Sequence, residues 1–260
     1  MPDFKNILVE RAGAVVWITI NRPKALNSLD PATHQELHAA FDQYAADPTL
    51  RVAVITGTGE RAFCVGSDIK GPILTSIEQY PPSGFGGITC RFDLYKPVIA
   101  CVNGLALGGG VEIVAACDLA IAADHAEFSL PEPRVGLAAL GGGGLQRLAR
   151  QMPMKHAMDL ILTGRRIGAE EAKSMALINQ VAPKAELRAR TTALANQIIE
   201  MAPLAIEASK QVMVQSFDIP DLKASIRRSY PAAEKMLKSE DAKEGPRAFA
   251  EKRAPVWRGK

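Results

Sequence analysis

The sequence predicts an α/β fold, and three observations support this prediction. First, short runs of β-branched and small apolar residues are typical of buried strands. These runs lie at 14–20, 51–57, 96–102 and 119–123. Second, residues 30–47, between the first two runs, carry apolar side chains at helical spacing. Third, Asp30 suits the N-cap of that helix and Pro31 its first position. Strands and a helix therefore alternate, as in layered α/β proteins.

The character of the chain changes after about residue 183. Three helical patterns follow one another with no strand between them, at 184–202, 203–217 and 219–239. We expect a C-terminal helical region that packs on another subunit. We therefore divide the chain into a core, residues 1–195, and a helical oligomerisation region, residues 196–260.

Composition narrows the class of protein. The chain has 260 residues, of which 47% are hydrophobic, enough for a sizeable core. A net charge of +3 is too small to imply a nucleic acid or an acidic membrane as partner. No apolar run reaches the ~18 residues of a membrane helix, and residues 1–13 lack an export-signal pattern. The four cysteines, Cys64, Cys90, Cys101 and Cys117, have no metal-type spacing. Cys101 and Cys117 lie in apolar runs, which predicts buried thiols, and we expect a cytoplasmic protein.

Two patterns that suggest ligand sites are weak. The segment "GTGERA" (57–62) matches a dinucleotide fingerprint, but an extended segment follows it where a helix should begin. We therefore predict a surface turn and place a nicotinamide-dependent oxidoreductase last among the hypotheses. His34 and His38 have metal-type spacing without a third ligand nearby, which predicts a solvated or partly packed helix face.

The segment "LGGGVEIVAACD" (107–118) is a stronger candidate. We predict that Gly108 to Gly110 form a tight turn that begins a helix. The free backbone N–H groups of a helix N-terminus can hold a phosphate or a developing oxyanion. Glu112 would lie in the first helical turn, where burial raises its pKa and the helix dipole lowers it. A catalytic carboxylate and a capping or ion-paired carboxylate both fit this stretch.

Two further segments add to this candidate site. Gly66, Ser67 and Asp68 form a second glycine-containing turn after a strand, and its backbone N–H groups could supply a second donor. Glu132 lies between Pro131 and Pro133, which fix the chain around it. A rigidly presented carboxylate suits acid–base chemistry, although exposed turn glutamates are also common.

Taken in order, five segments resemble the crotonase (enoyl-CoA hydratase/isomerase) superfamily, and most closely its enoyl-CoA hydratases. They are "ITINRPKALNSLD" (18–30), "RAFCVGSDIK" (61–70), "KPVIACVNGLALGGGVEIVAACDLAIAA" (96–123), "FSLPEPRVGL" (128–137) and "FAEKRAPVWRGK" (249–260). The resemblance implies a spiral of ββα units with a C-terminal helical trimerisation region, assembled as a homotrimer or a homohexamer. It also implies acyl-CoA thioesters as substrates.

The resemblance assigns roles to particular residues. Glu112 and Glu132 match the two catalytic glutamates of the hydratases, and the N–H groups of Ser67 and Gly109 match the oxyanion hole. The implied reaction is syn addition of water to a trans-2-enoyl-CoA. No metal or separate cofactor is implied, since coenzyme A is part of the substrate. The positions that match coenzyme A contacts are Lys24, Ala25, Leu26, Asp68, Ile69, Lys70, Phe249 and Lys252.

Alternatives remain at this stage. A Δ3,Δ2-enoyl-CoA isomerase needs only one base and would leave a glutamate unexplained, whereas a specialised acyl-CoA dehydratase would use both. A non-catalytic CoA-binding trimer would need neither. The sequence also departs from the family pattern at Pro133 and Arg134 and across 136–148, "GLAALGGGGLQRL". These departures flank the expected acyl pocket and leave the acyl group open, including branched, cyclic or aromatic groups.

Overall fold

The computed structural model describes residues 4–68 and 79–260. Within them, ten strands form two sheets. The strands are β1 (Ile7–Ala12), β2 (Val15–Ile20), β3 (Val52–Gly57), β4 (Ala62–Cys64), β5 (Val98–Val102), β6 (Leu105–Leu107), β7 (Leu119–Ala123), β8 (Glu127–Ser129), β9 (Ile167–Gly168) and β10 (Gln180–Ala182). The ten α-helices are α1 (Pro31–Ala46), α2 (Gly109–Ala116), α3 (Gly144–Gln151), α4 (Met154–Thr163), α5 (Ala169–Ser174), α6 (Leu187–Ile199), α7 (Pro203–Ser216), α8 (Leu222–Arg227), α9 (Pro231–Leu237) and α10 (Asp241–Ala250).

Consecutive strands of the chain alternate between the two sheets from β3 to β8. The larger sheet has the order β1-β2-β3-β5-β7-β10, and the smaller has the order β4-β6-β8-β9. Thus β3, β5 and β7 enter the larger sheet, and β4, β6 and β8, which follow them, enter the smaller one. Neighbours are parallel except in the pairs β1–β2 and β8–β9. The repeated step from one sheet to the other is the spiral that the resemblance implied.

The inner strands of the larger sheet, β2, β3, β5 and β7, are buried on both faces, which explains their continuous apolar runs. On one face Ile18 and Ile55 join a core that also contains Phe41 and Phe63. On the other face a second cluster contains Trp17, Val54, Ile99 and Ile121, and α6 covers it through Leu187 and Ala195. The α/β prediction and the four strand predictions are confirmed.

The local predictions also hold at the first helix. Asp30 caps α1, because its side chain accepts a hydrogen bond of 2.8 Å from the Thr33 N–H, and Pro31 is the first helical residue. The turn at 57–62 joins β3 to β4, and no helix follows it.

The C-terminal region is helical, as predicted. Pro231 divides the expected segment 219–239 into α8 and α9, because it lacks the N–H that a continuous helix needs there. The end of the chain returns to this region, where the Trp257 indole N–H donates to the Glu200 carbonyl at 2.8 Å. The division after residue 195 stays a prediction, and α6 spans it. Among the described residues, no helix is long and apolar enough to cross a membrane.

Candidate active site

The site is built around the N-terminus of α2. Gly108 is the N-cap of this helix and has a φ of +54°, a conformation that side chains other than glycine rarely adopt. A Cβ atom at Gly108 would lie 2.7 Å from Oε1 of Glu132. The predicted glycine turn is therefore confirmed, and a carboxylate lies directly against it.

The two candidate oxyanion donors come from neighbouring segments. Gly66 accepts a hydrogen bond from the Leu29 N–H (2.8 Å), and the Asp68 N–H donates to the Leu29 carbonyl (2.9 Å). These two bonds bracket Ser67, whose own N–H has no acceptor in 4–68 or 79–260. The same holds for the Gly109 N–H. A Cβ atom at Gly66 would lie 3.2 Å from the Gly109 nitrogen, so the turn of Ser67 packs against the beginning of α2.

Glu112 is buried in the first turn of α2, with 2% of its surface exposed. Its Oε1 accepts a hydrogen bond of 2.9 Å from the N–H of Gly144, the first residue of α3. Burial raises the pKa of Glu112, while hydrogen bonds from the Gly144 and Gly142 N–H groups and the charge of Arg147 oppose the rise. The carboxylate thus interacts with the N-terminus of another helix, where the dipole favours its charged form.

The glycine run at 141–144 makes this contact possible. A Cβ atom at Gly142 would lie 2.8 Å from Cβ of Glu112, and one at Gly144 would lie 2.9 Å from its Cγ. Side chains at these positions would displace the carboxylate. In the sequence this run is only a departure from the family pattern, and nothing local to it indicates which group it holds.

Glu132 lies between Pro131 and Pro133 and is the first residue of a 3₁₀ turn, Glu132–Val135. Its Oε2 is buried and has no hydrogen-bond partner among the described residues. Burial, together with a smaller contribution from the negative charge of Glu112, raises the pKa of Glu132 to about 7. The Arg134 guanidinium does not neutralise this group, because it donates to the carbonyls of Gly164 and Thr163. The two glutamates therefore lie close enough at the beginning of α2 for the charge of Glu112 to raise the pKa of Glu132.

The expected coenzyme A positions have different surroundings. Lys24, Ala25 and Leu26 lie on a 3₁₀ turn that begins at Pro23, and Lys24 is exposed. Asp68 pairs with Arg22 at 2.8 Å, which ties this turn to the segment of Ser67. Ile69 and Lys70 lie outside the described residues.

The two C-terminal positions are not brought to these groups within one chain. The Phe249 side chain is 87% exposed, and Lys252 lies just after α10. Across 4–68 and 79–260, no hydrogen bond or ion pair links either residue to Ser67, Gly109, Glu112 or Glu132.

One sequence expectation needs correction. His34 was expected on a solvated or partly packed face, but it is only 2% exposed, and burial lowers its pKa to about 4. Residues 80–87, far along the chain, cover it, so the local pattern could not show its burial. His38 is partly exposed. The part of the chain that the structure describes holds no cluster of three or more metal-ligating side chains.

Known proteins resemble this chain along nearly its whole length. A sequence profile of the family described as "Enoyl-CoA hydratase/isomerase" matches residues 10–260. The carnitinyl-CoA dehydratase of Escherichia coli K12 is 41% identical over 264 aligned residues, covering 98% of this chain and 99% of that protein.

Solved structures of enoyl-CoA hydratases share the fold of this chain. The enoyl-CoA hydratase of Mycobacterium tuberculosis H37Rv has a TM-score of 0.90 at 38% identity, covering 98% of this chain and 99% of its own. The enoyl-CoA hydratase of Bacillus anthracis has a TM-score of 0.91 at 35% identity, covering 98% and 100%.

Proposed function

Because the chain belongs to the enoyl-CoA hydratase/isomerase family, we propose that it adds water reversibly to a trans-2-enoyl-CoA, giving a 3-hydroxyacyl-CoA. The observation that carries this proposal is the carboxyl group of Glu132. A buried carboxylate oxygen without a partner costs free energy, and functional sites are where such costs are found. This group lies beside a second buried carboxylate, Glu112, and two backbone donors that have no acceptor among the residues that the structure describes.

The donors act on the thioester. As the hydroxyl group from water bonds to C3, the C2–C3 π electrons move toward the carbonyl and negative charge develops on its oxygen. The N–H groups of Ser67 and Gly109 would hold that enolate oxygen. They are fixed in direction by the backbone, so they need no reorganisation as the charge develops. One such donor is worth about 3–4 kcal/mol of the barrier.

The surroundings of the two glutamates favour different roles. Glu112 accepts hydrogen bonds that stabilise its charged form, so it serves as the base that takes a proton from the attacking water. Glu132 has a pKa of about 7, and no donor in 4–68 or 79–260 meets its Oε2, so it serves as the acid that delivers a proton to C2. In dehydration the roles reverse: Glu132 removes the C2 proton, and Glu112 protonates the departing hydroxyl group.

A second candidate for the acyl group comes from the relatives. The E. coli protein is named for a dehydratase that acts on carnitinyl-CoA. Carnitine is a 3-hydroxy acid with a trimethylammonium group, and aromatic faces beside negative charge attract such groups. The ring of Tyr80 is half-buried, and its hydroxyl lies 3.3 Å from the Cβ position of Gly141, which is 3.8 Å from Oε2 of Glu112. This neighbourhood supports testing carnitinyl-CoA as a substrate.

The assembly and location stay part of the proposal. We propose a homotrimer or homohexamer in the cytoplasm, in which Phe249 and Lys252 reach the coenzyme A of a neighbouring subunit. Large apolar side chains exposed on the C-terminal helices support this assembly, and sedimentation velocity measures it. These side chains include Met213, Phe217, Leu222, Ile226 and Leu237.

The test compares the wild type with Glu112→Gln and Glu132→Gln on crotonyl-CoA, followed by loss of the conjugated-thioester absorbance. Each substitution should lower kcat by about 10²–10⁴-fold, the usual contribution of a general acid or base. Glu170→Gln, which changes an exposed glutamate on α5, is the matched control and should leave kcat unchanged.

Further substrates separate the alternatives. Carnitinyl-CoA should gain the conjugated absorbance if a charged acyl group is accepted. A 3-enoyl-CoA converted faster than crotonyl-CoA is hydrated would favour isomerisation. Folded wild-type protein that turns over none of the three contradicts the proposal.

A further inference from the structure

His34 is buried on α1 and accepts a hydrogen bond that joins it to the site. Its Nδ1 lies 3.0 Å from the backbone nitrogen of Gly86. Since that nitrogen donates its hydrogen, Nδ1 carries no proton and the ring is the neutral tautomer protonated at Nε2. Gly86 has a φ of +62°, inside the 3₁₀ turn Phe85–Gly87. Without the histidine acceptor, this buried N–H would lose its partner.

The turn that His34 holds packs on the beginning of α2. The Phe85 ring occupies the space that a Cβ atom at Gly109 would need, and the corresponding space at Gly86 is filled by the Ile113 side chain. The backbone of Gly109, whose N–H has no acceptor in the described part of the chain, is therefore in contact with the turn. A shift of this turn would move the surface that supports the donor.

The His34 ring also touches a second element of the site. It makes edge-on contacts with Phe85, at 4.6 Å between ring centroids, and with Tyr80, at 5.0 Å. Tyr80 hydrogen-bonds to the Ser67 side chain, which belongs to the other donor residue. The three rings thus connect α1 to both segments that carry the candidate oxyanion donors.

From these contacts we infer that His34 is a positioning residue: by accepting from Gly86 it holds Phe85 and Tyr80 against the segments of Gly109 and Ser67. In this role it acts through those side chains and not on the reacting atoms. The inference rests on the proposed function, because the donors matter only if a thioester oxygen binds there. Losing the acceptor would misplace the donors more than it would weaken coenzyme A binding.

The test is a matched pair, His34→Asn and His34→Leu. The two new side chains have similar size and both lack the ring, but only asparagine offers an acceptor where Nδ1 was. With crotonyl-CoA, the leucine variant should lose about 10–100-fold in kcat, the scale of a displacement of about 1 Å at an active site, with KM changed less than threefold. The asparagine variant should stay within threefold of the wild type in kcat.

Hydrogen exchange gives a readout that does not depend on activity. Amides of residues 84–90 and 107–113 should exchange faster in the leucine variant and at the wild-type rate in the asparagine variant. An inactive wild type would count against the proposed function alone, and the exchange comparison would still test the positioning role. Equal kcat and equal exchange in the two variants would overturn the inference. If the leucine variant does not fold, a loss above tenfold in folded asparagine variant overturns it instead.

Discussion

Replacing Glu132 by glutamine should remove the loss of stability that the protein suffers as the pH rises through about 7, and should also remove its activity. In the folded protein the pKa of Glu132 is raised from 4.5 to about 7, chiefly by burial. The folded state therefore binds more protons than the unfolded state between these values. By linkage, the stability that this group contributes is fully present below pH 4.5 and is lost as the pH rises through about 7.

The magnitude follows from the size of the rise in pKa. At about 1.4 kcal/mol for each unit of pKa shift, the whole change is at most about 3.5 kcal/mol, of which about 2.5 kcal/mol falls between pH 5 and pH 8. Glu132 is partly exposed, and solvent screening reduces the expected change to about 1–2 kcal/mol. Glutamine at 132 does not titrate, so its uncompensated amide adds a cost that is the same at both pH values.

The assay is urea unfolding of the wild type and Glu132→Gln at pH 5 and pH 8, at one protein concentration because assembly contributes to stability. From pH 5 to pH 8 the free energy of unfolding of the variant should rise by about 1–2 kcal/mol relative to the wild type. Glu170→Gln should show no such change. A difference between wild type and Glu132→Gln that is the same at both pH values would refute the assigned pKa and its cause.

Two further predictions follow from the same site. Gly142→Ala should lower kcat for crotonyl-CoA at least tenfold and destabilise the fold by about 1–3 kcal/mol, because its methyl group would lie 2.8 Å from Cβ of Glu112. Its control, Gly168→Ala, meets no atom within 4 Å and should keep the wild-type kcat. In the pH profile of kcat/KM, hydration and dehydration should both decline above pH ~7, because each direction needs one proton on the pair of glutamates and Glu132 loses it there. A profile that is flat through pH 7 in both directions would contradict this assignment.

Much of the fold was predictable because it depends on neighbours along the chain. The β-branched runs became strands, Asp30 and Pro31 began α1, and the glycines at 108–110 began α2. These outcomes follow from backbone conformation and from local hydrogen bonds, which a short segment contains within itself. The sequence motifs also identified Glu112 and Glu132 as candidate catalytic residues.

The electrostatic state of the site was decided by the tertiary structure. Glu112 accepts from Gly144, 32 positions further along the chain, and His34 accepts from Gly86, 52 positions away. The pKa of Glu132 rises because packing removes water from one carboxylate and places another nearby. Sequence by itself therefore determined which residue types were present and how each segment would fold. Burial, and the donors and charges that each side chain meets, depend on segments that only the folded chain brings together.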